Sequence, residues 1–352
     1  IFGVESLNAL IDHLNNKKNC ILKPEKLTNI KYKDEVYETD FSLIQGQEIA
    51  KRGLLISACG GHNMAMYGPP GTGKTMLAKA FLSILPNLSI EEILEVTSIH
   101  SVAKILELPF ITRPPFRSPH HTSSYASLVG GGSIPQPGEI TLAHRGVLFL
   151  DEFPEFEKNV IDSLRQPLED HTVTISRARG RISFPAKFIL IACMNPCPCG
   201  YGKGKNCTCS TRELIYYKKK LSVPIIDRID LWASVSKVEY MKLANPDKKN
   251  MTSKDFRRIV EKTRDIQITR FKKYNIKNIS LNSEMSITDI QKCINIEKST
   301  KDLLSSSAER LGLSGRAYHR TLKLAQTIAD IEQKDIVMPE HILEALQYRE
   351  RG

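Results

Sequence analysis

Eight consecutive residues, Gly68-Pro69-Pro70-Gly71-Thr72-Gly73-Lys74-Thr75, satisfy the pattern G-x-x-x-x-G-K-[ST]. They stand between a short apolar run, Met64 to Tyr67, and a stretch with helical periodicity. This restricts the fold severely. A strand must run into a loop whose glycines let backbone N–H groups turn inward, and a helix must start directly after it with its positive end aimed at the same point. Lys74 is then placed to reach the β- and γ-phosphates of a nucleotide, and Thr75 to hold Mg²⁺. The alternative reading is a glycine-rich turn of purely structural use.

Two further apolar runs end in polar tips: Val147 to Leu150 leads into Asp151-Glu152, and Phe188 to Cys193 into Met194-Asn195-Pro196. Uninterrupted apolar runs fit central parallel strands covered on both faces. Ligands of open parallel sheets bind beyond the strands' C-terminal ends, so the three tips are expected to form one site. There Asp151 would ligate Mg²⁺ directly or through water, Glu152 would polarise an attacking water, and Asn195 suits a neutral group positioning that water near the γ-phosphate.

The predicted fold is therefore α/β, a P-loop base domain with a parallel sheet followed by an all-helical domain. Residues 1–39 read as a leader helix (Leu7, Leu10, Ile11 and Leu14 at helical spacing) and linker, 40–240 as the base and 241–352 as the helical part. A helix from about Gln47 to Cys59 is stopped by Gly60-Gly61. Beyond about Tyr240 the helical periodicity covers roughly Ser253 to Lys273, Ser286 to Glu309, Gly315 to Glu332 and Pro339 to Arg349, with Asn245-Pro246-Asp247 marking the junction by its turn chemistry. The length of 352 residues is consistent with about two domains. No apolar run approaches the roughly 20 residues of a membrane helix, so a cytoplasmic location is expected. Ile1 is not a start methionine, and the chain reads as a fragment.

The net charge of +11 favours polyanionic partners. Much of it is local, because Lys242 to Lys277 carries twelve basic residues against four acidic ones. This is either a solvated helix face or a track for nucleic acid. His171 to Lys187 reads as a hairpin whose turn holds Arg177, Arg179 and Arg181, where mutual repulsion is relieved if an anion lies near. Such arginines would touch phosphates without reading sequence; the alternative is a solvated basic turn. Arg113 to Gly132 reads as a mobile loop, and its His120 and His121 are not assigned to metal. Four of the eight cysteines, Cys197, Cys199, Cys207 and Cys209, form two C-x-C pairs. Four thiolates could close around a structural Zn²⁺, or the thiols are free or redox-active. Cys20, Cys59 and Cys193 read as buried or incidental.

With these parts in order, the sequence resembles the AAA+ ATPases, and within them the magnesium-chelatase-like group of the ComM type. The resemblance is carried by Gly46-Gln47-Glu48, Arg117-Ser118-Pro119-His120-His121, Pro137-Gly138-Glu139-Ile140-Thr141-Leu142-Ala143-His144, Arg165-Gln166-Pro167-Leu168-Glu169-Asp170 and Met194-Asn195-Pro196-Cys197-Pro198-Cys199-Gly200. It implies a base domain and helical lid assembling into a ring, usually a hexamer, with ATP between neighbouring subunits. Arg228 falls at the arginine-finger position, where it would reach the next subunit's γ-phosphate, and Arg316 at the sensor 2 position of the lid. In this group the hairpin before Asn195 points toward the ring's pore. Two departures are apparent. Members commonly carry an N-terminal domain of Lon-protease-like fold, and the residues before 40 read as a short leader and linker instead. The stretch before the finger reads Leu221-Ser222-Val223-Pro224 where Ser-Gly-Pro is usual.

The first functional expectation is an ATP-hydrolysing ring motor on DNA, a helicase or branch-migration factor in recombination or DNA uptake. The second is a chelatase-type ATPase that remodels a protein partner for metal insertion. A regulator that binds nucleotide without turnover is disfavoured by the full set Asp151, Glu152, Asn195 and Arg228.

Overall fold

The structure, a computed structural model, describes residues 2–17, 22–23, 39–106, 108–132, 135–177, 180–202, 207–238 and 250–349. The turn Asn245-Pro246-Asp247, Cys20 and most of the expected linker lie outside them. The chain forms two compact units, 1–36 and 37–352. In the first, helix α1 (Leu7–Leu14) is capped by Ser6, whose Oγ accepts from the Ala9 amide at 3.2 Å.

The second unit is built on a five-stranded sheet of β1 (Met64–Tyr67), β2 (Phe116–Arg117), β5 (Val147–Leu150), β8 (Ile189–Met194) and β9 (Leu231–Ser234), in the order β2-β5-β8-β1-β9. All its pairings are parallel, with Leu150 opposite Ala192 and Tyr67 opposite Met194. Because side chains alternate along a strand, the sheet feeds two cores. Met64, Met66, Val147 and Phe149 enter one, and Ala65, Leu148 and Leu150 the other. Both faces are covered, which is why these strands read as unbroken apolar runs. β8 begins one residue later than the sequence suggests.

Helices α2 (Glu48–Gly60) and α3 (Lys74–Ile84) cover the first face. Gln47 precedes α2 in the left-handed region, with φ 60°, rather than starting it. The other face is covered by short elements, among them α5 (Tyr125–Val129), α7 (Lys158–Ser163) and the hairpin β6 (Thr172–Arg177) with β7 (Gly180–Pro185). The segment Arg113 to Gly132 is not the loop expected from its composition. It supplies β2, which pairs beside β5, then α5, whose Leu128 and Val129 are buried, and Gly130–Gly131, which pairs with Gln136–Pro137. Arg117 fixes it through two hydrogen bonds to Glu139, at 2.6 and 2.7 Å.

The regular elements of the described C-terminal part are helices: Ser253–Lys273, Ile287–Cys293, Lys298–Leu311, Gly315–Ile331 and Pro339–Gln347. The single helix expected over Ser286 to Glu309 is two. Ile294 is extended, and Ile296 forms an isolated bridge with Val337 while the Val337 amide donates to Asn295 O at 2.8 Å. That pairing with a segment about forty residues further on takes the residues a continuous helix would need. Phe256, Val260, Leu324 and Ile328 share one hydrophobic core with α2, α3 and the sheet. Arg264 and Gln267 donate to the carbonyls of Ala58 and Cys59, two orphan acceptors at the end of α2. Among the described residues no helix is long and apolar enough to cross a membrane.

Candidate active site

The strand order determines what meets at the C-terminal edge. β8 lies between β5 and β1, so Asn195 at its tip stands between Asp151 and the loop Gly68–Thr75. Gly68 must be glycine because a Cβ there would sit 1.9 Å from Val235 O. Gly71 and Gly73 have φ of 74° and 88°, and a Cβ at either would meet nothing within 4 Å, so backbone conformation rather than space selects glycine. Lys74 opens α3, and its Nζ donates to Gly68 O at 2.7 Å, Pro69 O at 2.8 Å and Asn195 Oδ1 at 3.2 Å. Burial pushes the Lys74 ammonium below its ordinary pKa, while Asp151 and Cys193 pull the other way.

Thr75 Oγ1 donates to Asp151 Oδ2 at 2.7 Å. These two oxygens are hard donors of the kind Mg²⁺ takes, beside a loop open to phosphate. Glu152 has φ 51°, a left-handed conformation that costs a non-glycine residue about 1–2 kcal/mol. Its Oε2 lies 3.3 Å from His121 Nδ1. The Asn195 carbonyl is fixed by the Tyr217 hydroxyl at 3.1 Å. Gln47, in the quoted Gly46-Gln47-Glu48, donates to Thr72 O at 3.3 Å and so braces the loop from behind.

Arg228 and Arg316 do not join this cluster. Both donate to the carboxylate of Glu169, one to each oxygen, and Arg228 Nη1 also donates to Pro224 O at 2.7 Å. Arg228 Nε is buried with no hydrogen-bond partner among the described residues. Glu169 and Arg316 line a cavity of about 580 Å³ together with His319, Arg320, Lys323 and Asp230. Burial works to raise the Asp230 carboxyl, but the Arg320 guanidinium at 2.9 Å and His62 hold it well below the usual range.

In the hairpin, Arg177 is the last residue of β6 and Arg181 is exposed on β7, while Arg179 lies outside the described residues. The sulfurs of Cys197, Cys199, Cys207 and Cys209 lie within 4.8 Å of one another, with Cys197 to Cys199 at 3.3 Å, Cys199 to Cys207 at 3.7 Å and Cys197 to Cys207 at 3.9 Å. A tetrahedron of thiolates on zinc, with Zn–S about 2.3 Å, has edges of about 3.8 Å, so the four residues fit that ion. The backbone N–H of Tyr201, with Cys197 beside it, lowers the Cys199 thiol to about 6. Protein purified under reducing conditions is expected to carry one zinc per chain by elemental analysis. A value near zero removes the assignment. The loop also touches the phosphate loop: a Cβ on Gly200 would lie 2.8 Å from Pro70 Cδ. Cys59 and Cys193 are buried, as expected.

Sequence reasoning gave no role to His121, Glu169, Gln47 or Tyr217. The first three stand inside the quoted motifs, so the motifs themselves were the available signal.

The family model "Magnesium chelatase, subunit ChlI" matches residues 40–243, and "Magnesium chelatase, subunit ChlI C-terminal" matches 250–349. The chain is 41% identical over 354 residues to competence protein ComM of Haemophilus influenzae, an alignment that covers 99% of this chain and 67% of the relative. It is 43% identical over 312 residues to the uncharacterized protein YifB of Escherichia coli, covering 88% of this chain and 60% of YifB. The magnesium-chelatase subunit ChlI of Mesostigma viride is 23% identical, over 91% of this chain and 88% of its own. The chain thus spans about 60 to 67% of the length of ComM and YifB.

Proposed function

Starting from the fact that this chain belongs to the magnesium-chelatase-like AAA+ family of the ComM type, we propose that it is the ATP-hydrolysing core of a ring motor that acts on DNA. One observation carries the reading: Lys74, Thr75, Asp151 and Asn195 are joined by hydrogen bonds across the tips of three adjacent parallel strands. Lys74 and the inward N–H groups of Gly71 to Thr75 hold the phosphates of ATP, and Thr75 and Asp151 hold Mg²⁺. Bound there, the metal neutralises charge on the β- and γ-phosphates. Glu152 accepts the proton of the attacking water, and Asn195 orients that water through its side-chain amide. Arg228 and Arg316, paired with Glu169 and not with their own chain's phosphate loop, serve a γ-phosphate across a subunit boundary, which makes turnover depend on self-association in a ring, usually a hexamer in this family. The division into a base at 40–240 and a lid at 241–352 belongs to the same proposal.

DNA as the substrate is supported by the basic hairpin, by the chain's charge, and by the word competence in the name of a relative. A second reading, remodelling of a protein partner for metal insertion, is favoured by the likeness to ChlI. They are separated by ATP hydrolysis measured with forked and four-way DNA. The expected result is stimulation that weakens steeply as salt rises and disappears when Arg177, Arg179 and Arg181 are replaced by Ala, with basal turnover retained. No response to DNA at low salt, together with stimulation by a protein partner, selects the second reading.

A further inference from the structure

We propose that the exposed face of α9 (Thr211–Lys220) binds single-stranded nucleic acid, as a surface separate from the β6–β7 hairpin. Arg212, Ile215, Tyr216 and Lys219 are spaced three or four residues apart and share one side of the helix. Ile215 is 51% exposed and Tyr216 68%. The next residue behaves oppositely: Tyr217 is 5% exposed and hydrogen-bonded to Asn195, so it anchors the helix while Tyr216 is left outside.

The acids nearby are already engaged. Glu213 closes a capping box with Ser210, and Glu155 pairs with Lys220 at 2.6 Å. Arg212, Lys218 and Lys219 are exposed and make no ion pair among the described residues. A groove of about 530 Å³ runs along this face against Pro198 and Glu155.

The helix dipole accounts for lysines in the last turn. It does not account for a tyrosine and an isoleucine presented to water among them. A partner that matches both chemistries has flat apolar faces and regularly spaced negative charge. Bases stacked on Tyr216 with phosphates at Arg212 and Lys219 meet that description, and a duplex, whose base faces are covered, does not. The pairing is repeated on the adjoining loop, where Tyr201 is 49% exposed and the Lys237 ammonium lies 5.9 Å from its ring centroid. The cysteine cluster has a use in this arrangement, since Cys209 directly precedes the Ser210 cap and fixes where α9 starts.

The choice of nucleic acid as partner rests on the DNA-motor reading, but the test separates the two. The full chain is titrated against a fluorescent oligo-dT of about 20 nucleotides and against a duplex, across a range of salt. Tyr216→Ala is expected to weaken oligo-dT binding roughly tenfold and Tyr216→Phe to retain it. Arg212→Gln with Lys219→Gln lowers the slope of log affinity against log salt by about 1.4. Basal ATP hydrolysis stays at the wild-type rate in all three, which shows that the fold is kept. Wild-type affinity in Tyr216→Ala, or a wild-type salt slope in the double variant, overturns the inference, as does a loss of self-association in Tyr216→Ala. If only the hairpin variants lose DNA, the motor reading survives without this surface. If DNA never stimulates hydrolysis yet Tyr216→Ala loses oligo-dT, the surface stands and the motor reading falls.

Discussion

Glu152→Gln is expected to bind ATP as the wild type does and to hydrolyse it about 10²- to 10⁴-fold more slowly, the range for loss of a general base. The substitution keeps the shape and the left-handed backbone of the site, with φ 51°, and removes only the basic oxygen. Trapped ATP, seen as unhydrolysed nucleotide retained through gel filtration, is the direct readout. Hydrolysis at the wild-type rate would take the role from Glu152. The 3.3 Å approach of His121 to the same carboxylate gives a control inside the experiment. Were the loss due to a broken contact with His121, His121→Ala would reproduce it in full.

Arg228→Ala should lower turnover by about 10³-fold, the scale associated with an arginine supplied across a boundary, with ATP affinity unchanged because its own chain's loop is intact. Mixing supplies the decisive arm. Lys74→Ala subunits cannot hold ATP but still present Arg228, whereas Arg228→Ala subunits hold ATP and present nothing. Each is inactive alone, and a mixture regains activity at the junctions where an intact loop faces an intact arginine. Absence of recovery, in a mixture shown to co-assemble, places Arg228 in its own chain's chemistry or outside the chemistry altogether. Glu169 modulates this result, since its carboxylate is shared by Arg228 and Arg316.

What could be read without coordinates was the local chemistry. The phosphate loop announces itself because its function demands specific residues at fixed spacing, and β1 and β5 were found to the residue because burial on both faces leaves an unbroken apolar signal. β2 and β9 escaped for the opposite reason. Two residues, Phe116–Arg117, are too few to show any period, and Leu231–Ser234 ends in a polar residue directly after the charged Asp227–Asp230 stretch. The break after Cys293 was invisible because its cause, Val337, lies far along the chain. The same holds for the pairings that organise the site. His121 meets Glu152, and Glu169 meets both Arg228 and Arg316, across separations no periodicity spans.

The hydrophobic seam joining the sheet to the C-terminal helices limits where the described residues of this chain can bend. Opening it would wet aliphatic and aromatic side chains on both sides, at about 25 cal/mol for every Å² uncovered. In the ring motor proposed above, the less costly pivots of a stroke are therefore the joints between one copy and the next.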